Sequence, residues 1–113
     1  FMFIVEEKAG DDYRSIGCMG FRRGSKDVDV YNVIRGNKSE RKGGMGEALA
    51  LMCAYAACIY GRRITCEVLL NNPAVGWYES NRFTKSEERD DHFLMECDAA
   101  IREVRFHTRR YSK

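Results

Sequence analysis

The stretch from Asp27 to Leu70 has the pattern strand, glycine-rich connection, helix, strand, and this order most limits the folds open to the chain. Asp27–Ile34 begins with polar and apolar residues in alternation, which predicts a strand with one buried face. Glu47–Tyr60 is rich in Ala, Leu and Met, and the Gly61 that follows is typical of a helix end. Ile64–Leu70 is β-branched and apolar, which predicts a second strand. Such a unit requires a sheet with helices packed against it, in the α/β or α+β class.

Further elements are predicted on both sides of this unit. Asn72 and Pro73 are typical of a helix start and predict a short helix that extends to about Asn81. The helix at Glu47–Tyr60 is apolar on nearly every face, so we expect it to be covered on most sides. Two pairs of strand-like runs around polar turns predict hairpins: Phe1–Val5 with Tyr13–Phe21, and Phe83–Glu88 with His92–Cys97.

Composition limits the function classes. The 113 residues fit one domain, predicted at 1–98, with a basic C-terminal extension of that domain at 99–113. The 19 Lys and Arg nearly balance 17 Asp and Glu, so neither a membrane surface nor nucleic acid is expected as a partner. The five cysteines include no C-x-x-C pair and fit no zinc framework. We therefore expect no metal, a reduced compartment and a cytoplasmic location.

The segment Arg41-Lys42-Gly43-Gly44-Met45-Gly46 lies between a predicted strand and the long helix. Glycines let the backbone approach a ligand closely, and a helix N-terminus presents unpaired N–H groups, so this arrangement suits a phosphate. A nucleotide-hydrolysing loop would need a following Lys-Ser/Thr pair, and a dinucleotide loop would need a third glycine three residues further on. A glycine turn that merely starts the helix remains an equal alternative from the segment alone.

Two motifs carry a resemblance to a known family. Arg41-x-x-Gly44-x-Gly46 resembles the R/Q-x-x-G-x-G/A motif of the GNAT superfamily of acyl-CoA-dependent N-acetyltransferases. Asn71–Phe83 resembles that family's second signature, N-x-x-A-x-x-x-Y-x-x-x-G-F, and one helix and one strand separate the two, as in the family. The resemblance implies a GNAT-like mixed, mostly antiparallel central sheet with helices packed on its faces.

The sequence departs from the family pattern at three places, one of which is the loop from Gly36 to Glu40, longer than usual between the strand and the first motif. Arg82 occupies the position of the usual glycine, and we expect Asn81 to adopt the left-handed conformation in its place. The first strand of the family and the helices that follow it have no counterpart in the sequence. Two interpretations therefore stay open: the sequence is a fragment, or it is a reduced form of the fold that a second copy completes in a homodimer.

The resemblance also implies how acetyl-CoA would bind. In the family, loop amides hold the CoA pyrophosphate, the preceding strand pairs with pantetheine through its main chain, and an asparagine contacts the cofactor arm. A tyrosine protonates the departing thiolate. The implied cofactor-binding residues are Val33, Ile34, Arg41, Lys42, Gly43, Gly44, Met45, Gly46, Asn71 and Tyr78, with Tyr78 also the general acid.

The reaction also needs a group that removes a proton from the acceptor, because only a neutral amine attacks a thioester. Asp27, Asp29 and Glu67, on the two central strands, are the candidates, and the sequence does not choose among them. The predicted function is acetyl transfer, without a metal, to a primary amine of a small molecule or a protein.

Two alternatives stay open. The chain could be a non-catalytic CoA-binding or protein-interaction module that keeps the fold. It could also bind nucleic acid through its basic tail and four arginines, Arg22, Arg23, Arg62 and Arg63.

Overall fold

The computed structural model describes residues 1–36, 43–61 and 63–97, and Arg41, Lys42, Arg62 and the predicted extension 99–113 lie outside them. Within that part, strands and helices follow the predicted order. Their bounds are β1 Met2–Ala9, β2 Asp12–Arg23, β3 Asp27–Arg35, α1 Gly44–Tyr60, β4 Arg63–Leu69, α2 Ala74–Ser80, β5 Phe83–Glu88 and β6 His92–Cys97. Neither described helix is both long and apolar enough to cross a bilayer.

The strands form one sheet of mixed direction. The spatial order is β1-β2-β3-β4-β6-β5, and neighbouring strands are antiparallel except for β3 and β4, which run parallel. Both predicted hairpins are present, as β1–β2 and β5–β6. The prediction of a mixed, mostly antiparallel sheet is therefore confirmed.

One face of this sheet carries the core. At the start of β3, exposed and buried side chains alternate as predicted. Asp27 and Asp29 are partly exposed, whereas Val28 and Val30 are buried. The core that α1 and α2 share with the sheet consists of buried residues from this same face, among them Met19, Phe21, Val28, Val30, Ile64, Cys66, Phe83, Met95 and Cys97. Both described helices therefore pack on one face of the sheet, and the predicted fold class, a mixed sheet with helices packed against it, is confirmed.

Helix α1 differs from its prediction at two points. It begins at Gly44 rather than Glu47, because the first turn of a helix needs no N–H partners and tolerates glycine. It ends as predicted at Gly61, which has a φ of 59°. The expectation that α1 is covered on most sides is wrong, because three large apolar residues are more than 40% exposed: Leu51, Tyr55 and Ile59.

The short helix α2 begins after the predicted Asn-Pro pair. The Asn72 side-chain oxygen accepts a hydrogen bond from the Ala74 N–H at 2.8 Å, which satisfies one of the free donors at the helix start. At the other end, Asn81 has a φ of −109° and Arg82 has a φ of 68°. The expectation that Asn81 adopts the left-handed conformation is therefore wrong: Arg82 adopts it, at the position of the family glycine.

Candidate functional site

The sheet opens between its two parallel strands. Only Asp27–Val30 of β3 pairs with β4, opposite Arg63–Cys66. Beyond this point β3 continues to Arg35 and β4 to Leu69 without pairing to each other. The two strands therefore border a gap at their C-terminal ends, which is where ligands commonly bind between parallel strands.

An irregularity in β3 lies beside this gap. Against β2, Cys18 pairs with Ile34 and Gly20 with Tyr31, so that one residue of β2 lies opposite both Asn32 and Val33. Asn32 has a φ of 50°, in the left-handed region that asparagine adopts more readily than most residues. This β-bulge turns the end of β3 relative to its first half and disturbs pairing there.

A cavity of about 280 Å³ lies at the end of β3. Strand β3, the N-terminus of α1 and the helix α2 all contribute to its wall. The lining residues are Val33, Arg35, Met45, Pro73, Ala74, Trp77 and Tyr78. The structure thus brings together three of the residues implied by the sequence motifs, Val33, Met45 and Tyr78.

The N-terminus of α1 is formed by the predicted glycines, although not as a loop. Gly43 has a φ of 85°, a conformation that favours glycine, and precedes the helix. Gly44, Met45 and Gly46 form the first helical turn, so the prediction that they lie in a loop is wrong. In the described part of the chain no side chain caps this end, whose first N–H groups point away from the helix body.

Gly46 also has a packing reason to be glycine. A Cβ at this position would lie 2.3 Å from Oδ1 of Asn81, which follows α2. The Asn81 side chain is held there, because its Nδ2 donates a hydrogen bond to the Trp77 carbonyl at 2.8 Å. Gly46 therefore lets the start of α1 approach the end of α2, whatever else binds nearby.

Tyr78 contributes a polar side chain to the cavity wall, and two aromatic neighbours hold this side chain in place. Its ring packs edge-on against Trp77 at 5.1 Å and Phe83 at 5.3 Å, and the residue is 8% exposed. No described residue exchanges a hydrogen bond with its hydroxyl. Burial raises the pKa of Tyr78 above its ordinary value of 10, so the hydroxyl keeps its proton and acts as a donor.

The three candidate carboxylates differ in their surroundings. Asp27 forms a two-pronged ion pair with Arg63, at 3.1 and 3.2 Å. Asp29 pairs with Arg22 at 3.1 Å, and burial raises its pKa despite that partner. Glu67 is 58% exposed and is the first residue of β4 beyond the paired segment. Only Glu67 therefore lies where the two strands separate.

Five of the implied cofactor residues that the structure describes do not line the cavity: Gly43, Gly44 and Gly46 at the start of α1, and two others, Ile34 and Asn71. Ile34 is 56% exposed and pairs with Cys18 of β2. Asn71 is exposed in the turn after β4, and the adjacent Asn72 makes the hydrogen bond to α2. Neither Ile34 nor Asn71 lines the cavity wall.

The structure also bears on the nucleic-acid alternative, on the cysteines and on metal binding. Arg22 and Arg63 of the proposed nucleic-acid surface are paired with Asp29 and Asp27, which leaves less free positive charge there. All five cysteines are free thiols, and burial is the main cause that raises the pKa of Cys66 to about 12. Residues 1–36, 43–61 and 63–97 contain no cluster of His, Cys, Asp and Glu suited to a metal ion.

The sequence motifs missed Arg35 and Trp77. A helical period of 3.6 puts Pro73, Ala74, Trp77 and Tyr78 on one face of α2, so the position of Tyr78 alone would have pointed to Trp77. Arg35 had a weaker signal, since it is a basic residue at the end of the strand before the glycines.

Comparison with solved structures identifies the fold. The Escherichia coli protein ElaA matches with a TM-score of 0.62 at 10% identity, over 82% of this chain and 65% of its own. A Bordetella pertussis protein assigned to the GNAT-family acetyltransferases matches with a TM-score of 0.57 at 17% identity, over 74% of this chain and 58% of its own. FdhC, described as a nucleotide-linked sugar GNAT, matches with a TM-score of 0.63 at 20% identity, over 81% and 54%.

The chain has the GNAT fold, which confirms the resemblance found in its motifs. It spans between 54% and 65% of the length of these three structures. No family profile and no curated protein sequence matches the chain.

Proposed function

We propose that the chain transfers an acetyl group from acetyl-CoA to a primary amine. The observation that carries this proposal is the cavity at the end of β3, between the start of α1 and Tyr78. Its volume of about 280 Å³ is at the lower end of small-molecule pockets, roughly 300–1,000 Å³. It suits the thioester and the adjoining arm of the cofactor, with the nucleotide lying outside.

The start of α1 is the proposed place for the pyrophosphate. The N–H groups of Gly44, Met45 and Gly46 belong to an uncapped helix start, where the helix dipole favours an anion. Arg35 adds a full positive charge in the cavity wall. Arg41, Lys42 and Gly43 remain proposed contacts from the motif, as does the main chain of Val33 for pantetheine.

Glu67 is the proposed base among the three carboxylates. Asp27 and Asp29 each hold an arginine at 3.1 Å, and protonation of either one would break that ion pair. Glu67 has a looser ion pair, because Arg89 lies 3.8 Å from one of its oxygens and the Glu67 side chain is 58% exposed. It can therefore take a proton from an incoming ammonium group at the gap between the strands.

Tyr78 is the proposed acid. When the thioester C–S bond breaks, the sulfur takes the electron pair and becomes a thiolate. The raised pKa of Tyr78 keeps its hydroxyl protonated, so it donates a hydrogen bond to that thiolate. A free thiol has a pKa of about 8.5, so the hydrogen bond is favoured over complete transfer from the phenol.

Calorimetric titration with acetyl-CoA tests the cavity. Ala74→Leu adds bulk to the cavity wall, and we expect it to abolish binding that the wild type shows. Gly76→Ala is the matched control on the same helix, because a Cβ there would meet no atom within 4 Å. Equal binding by both variants would refute the assignment of this cavity to the cofactor.

Turnover tests the chemistry. Release of free CoA thiol is measured with acetyl-CoA and three acceptors: spermidine, a lysine peptide and glucosamine. Tyr78→Phe should lower kcat by about 10²-fold or more and leave acetyl-CoA affinity unchanged, and Glu67→Gln should do the same while Asp27→Asn does not. Binding of acetyl-CoA with no transfer to any acceptor would favour the non-catalytic module instead.

A further inference from the structure

A histidine that the motifs do not include lies beside the proposed base. In the antiparallel pair β4–β6, Glu67 is opposite Leu94 and Leu69 is opposite His92. Glu67 and His92 are therefore diagonal neighbours on the face of the sheet away from the helices. His92 Nε2 lies 3.8 Å from Glu67 Oε2, and Nδ1 lies 2.6 Å from Asp91 Oδ1.

Asp91 determines which nitrogen of His92 carries the proton. An ionised carboxylate only accepts hydrogen bonds, so at 2.6 Å the Nδ1 of His92 must be the donor. This hydrogen bond lowers the pKa of Asp91, so Asp91 remains ionised as an acceptor. In the neutral imidazole, Nε2 then keeps a lone pair and is itself an acceptor.

The Nε2 atom is buried and forms no hydrogen bond with any described residue. Buried polar atoms are nearly always satisfied, and the exceptions call for an explanation. The nearest polar group is Glu67, whose oxygen at 3.8 Å is slightly beyond hydrogen-bond distance. The Glu67 side chain is 58% exposed, so it is less confined by packing than the His92 ring, whose side chain is 22% exposed.

The other charged groups near this pair belong to the same hairpin. Arg89 lies 3.8 Å from the second oxygen of Glu67 and 3.3 Å from Glu87 on β5. In the described residues, the charged groups around His92 are therefore Glu67, Asp91 and Arg89, with Glu87 behind Arg89.

We propose that Asp91, His92 and Glu67 form a proton path, in which His92 Nε2 receives the proton that Glu67 removes from the acceptor. The proposal rests on the proposed function. The acceptor ammonium loses one proton to Glu67, from which it passes to His92 Nε2 and then to solvent. The nitrogen lone pair forms the C–N bond, and the C–S bond breaks with its electron pair on sulfur. The nitrogen then loses a second proton to solvent, the thiolate that Tyr78 has hydrogen-bonded takes one from solvent, and the amide keeps the third. His92 acts through Glu67 and is a positioning residue.

The first test is independent of turnover. Long-range proton–nitrogen NMR at pH 8 distinguishes the two neutral forms of a histidine, and a His92→Gln spectrum identifies the His92 signals. We expect the wild type to show Nδ1–H, and Asp91→Ala to shift His92 towards the Nε2–H form. Asp90→Ala, which removes the neighbouring carboxylate, should change nothing. An Nε2–H form in the wild type would overturn the proposal.

The second test is the pH profile of kcat/KM with spermidine. His92→Gln should lower kcat/KM by about tenfold at pH 7, less than the 10²–10⁴-fold of a direct acid or base. The deficit should shrink towards pH 9.5, where more of the amine is already neutral. In the Glu67→Gln background, His92→Gln should cost nothing further, because the two groups act in series.

The outcomes separate the two proposals. A His92→Gln profile parallel to the wild type, or losses that add in the double variant, would refute the proton path alone. A wild type that binds acetyl-CoA and transfers nothing to any of the three acceptors would refute the proposed function, and the role of His92 with it.

Discussion

Gly46→Ala probes the contact that joins the two helices beside the cavity. A Cβ at Gly46 would lie 2.3 Å from Oδ1 and 3.2 Å from Cγ of Asn81. The side chain of Asn81 must therefore move by about 1 Å to reach ordinary van der Waals distance. That movement breaks its 2.8 Å hydrogen bond to the Trp77 carbonyl at the end of α2.

The expected change in the free energy of unfolding has two opposed parts. Forcing a group into a packed contact costs about 1–3 kcal/mol, and the lost hydrogen bond is included in that range. Replacing glycine with alanine in a helix stabilises it by about 0.5–1 kcal/mol. Gly46→Ala should therefore destabilise the protein by about 1–2 kcal/mol. In an Asn81→Ala background the clash is gone, and Gly46→Ala should stabilise by about 0.5–1 kcal/mol.

Urea unfolding of the four proteins of this double-mutant cycle measures both effects. The reversal of sign between the two backgrounds is the decisive result. An equal effect of Gly46→Ala with and without Asn81 would refute the argument, because it would show that the two residues are not in contact.

Three further predictions concern stability and reactivity. Arg82→Gly should stabilise the protein by about 0.5–1 kcal/mol in urea unfolding. The left-handed conformation costs an L-residue about 1–2 kcal/mol, and the greater chain entropy of unfolded glycine offsets part of that gain. A loss of stability would contradict the left-handed conformation of Arg82. Because its pKa is raised, the carboxyl group of Asp29 binds a proton more tightly in the native state than in the unfolded chain. The free energy of unfolding of the wild type, relative to that of Asp29→Asn, should therefore increase as the pH falls from 7 towards 3.8. An unchanged difference between pH 7 and pH 4 would contradict the raised pKa. Iodoacetamide should label the exposed Cys58 before the buried Cys53, Cys66 and Cys97, as followed by peptide mass mapping, and equal rates at Cys58 and Cys53 would contradict the burial of Cys53.

Much of the fold could be predicted because its signals are local. Alternation identified β3, and Gly61 marked the end of α1. The start of α1 and the conformation at Arg82 were not predictable in the same way. The first turn of a helix needs no N–H partners and so accepts Gly44 and Gly46, and the contact between Gly46 and Asn81 joins two segments that are distant in sequence, which no local pattern reveals.

The sequence could predict those site residues that a motif assigns to a single helix or strand. Tyr78, Met45 and Val33 line the cavity for this reason. The choice among the carboxylates required the point at which β3 leaves β4, which no single segment determines. His92 was missed because its neighbour Glu67 is far away in sequence and adjacent only through the pairing of β4 with β6.

The short parallel contact between β3 and β4 divides the sheet into two antiparallel halves, β1–β3 and β4–β6. Strands β1, β2 and β3 form from consecutive hairpins, as do β5 and β6, whereas the parallel contact requires α1 and its connections to be in place first. We therefore expect this contact to form late in folding. Helix α1 contacts strands of both halves, β1 to β3 on one side and β4 on the other. Helix α1 therefore bridges the two halves, across a parallel contact that involves only Asp27–Val30 of β3 and Arg63–Cys66 of β4.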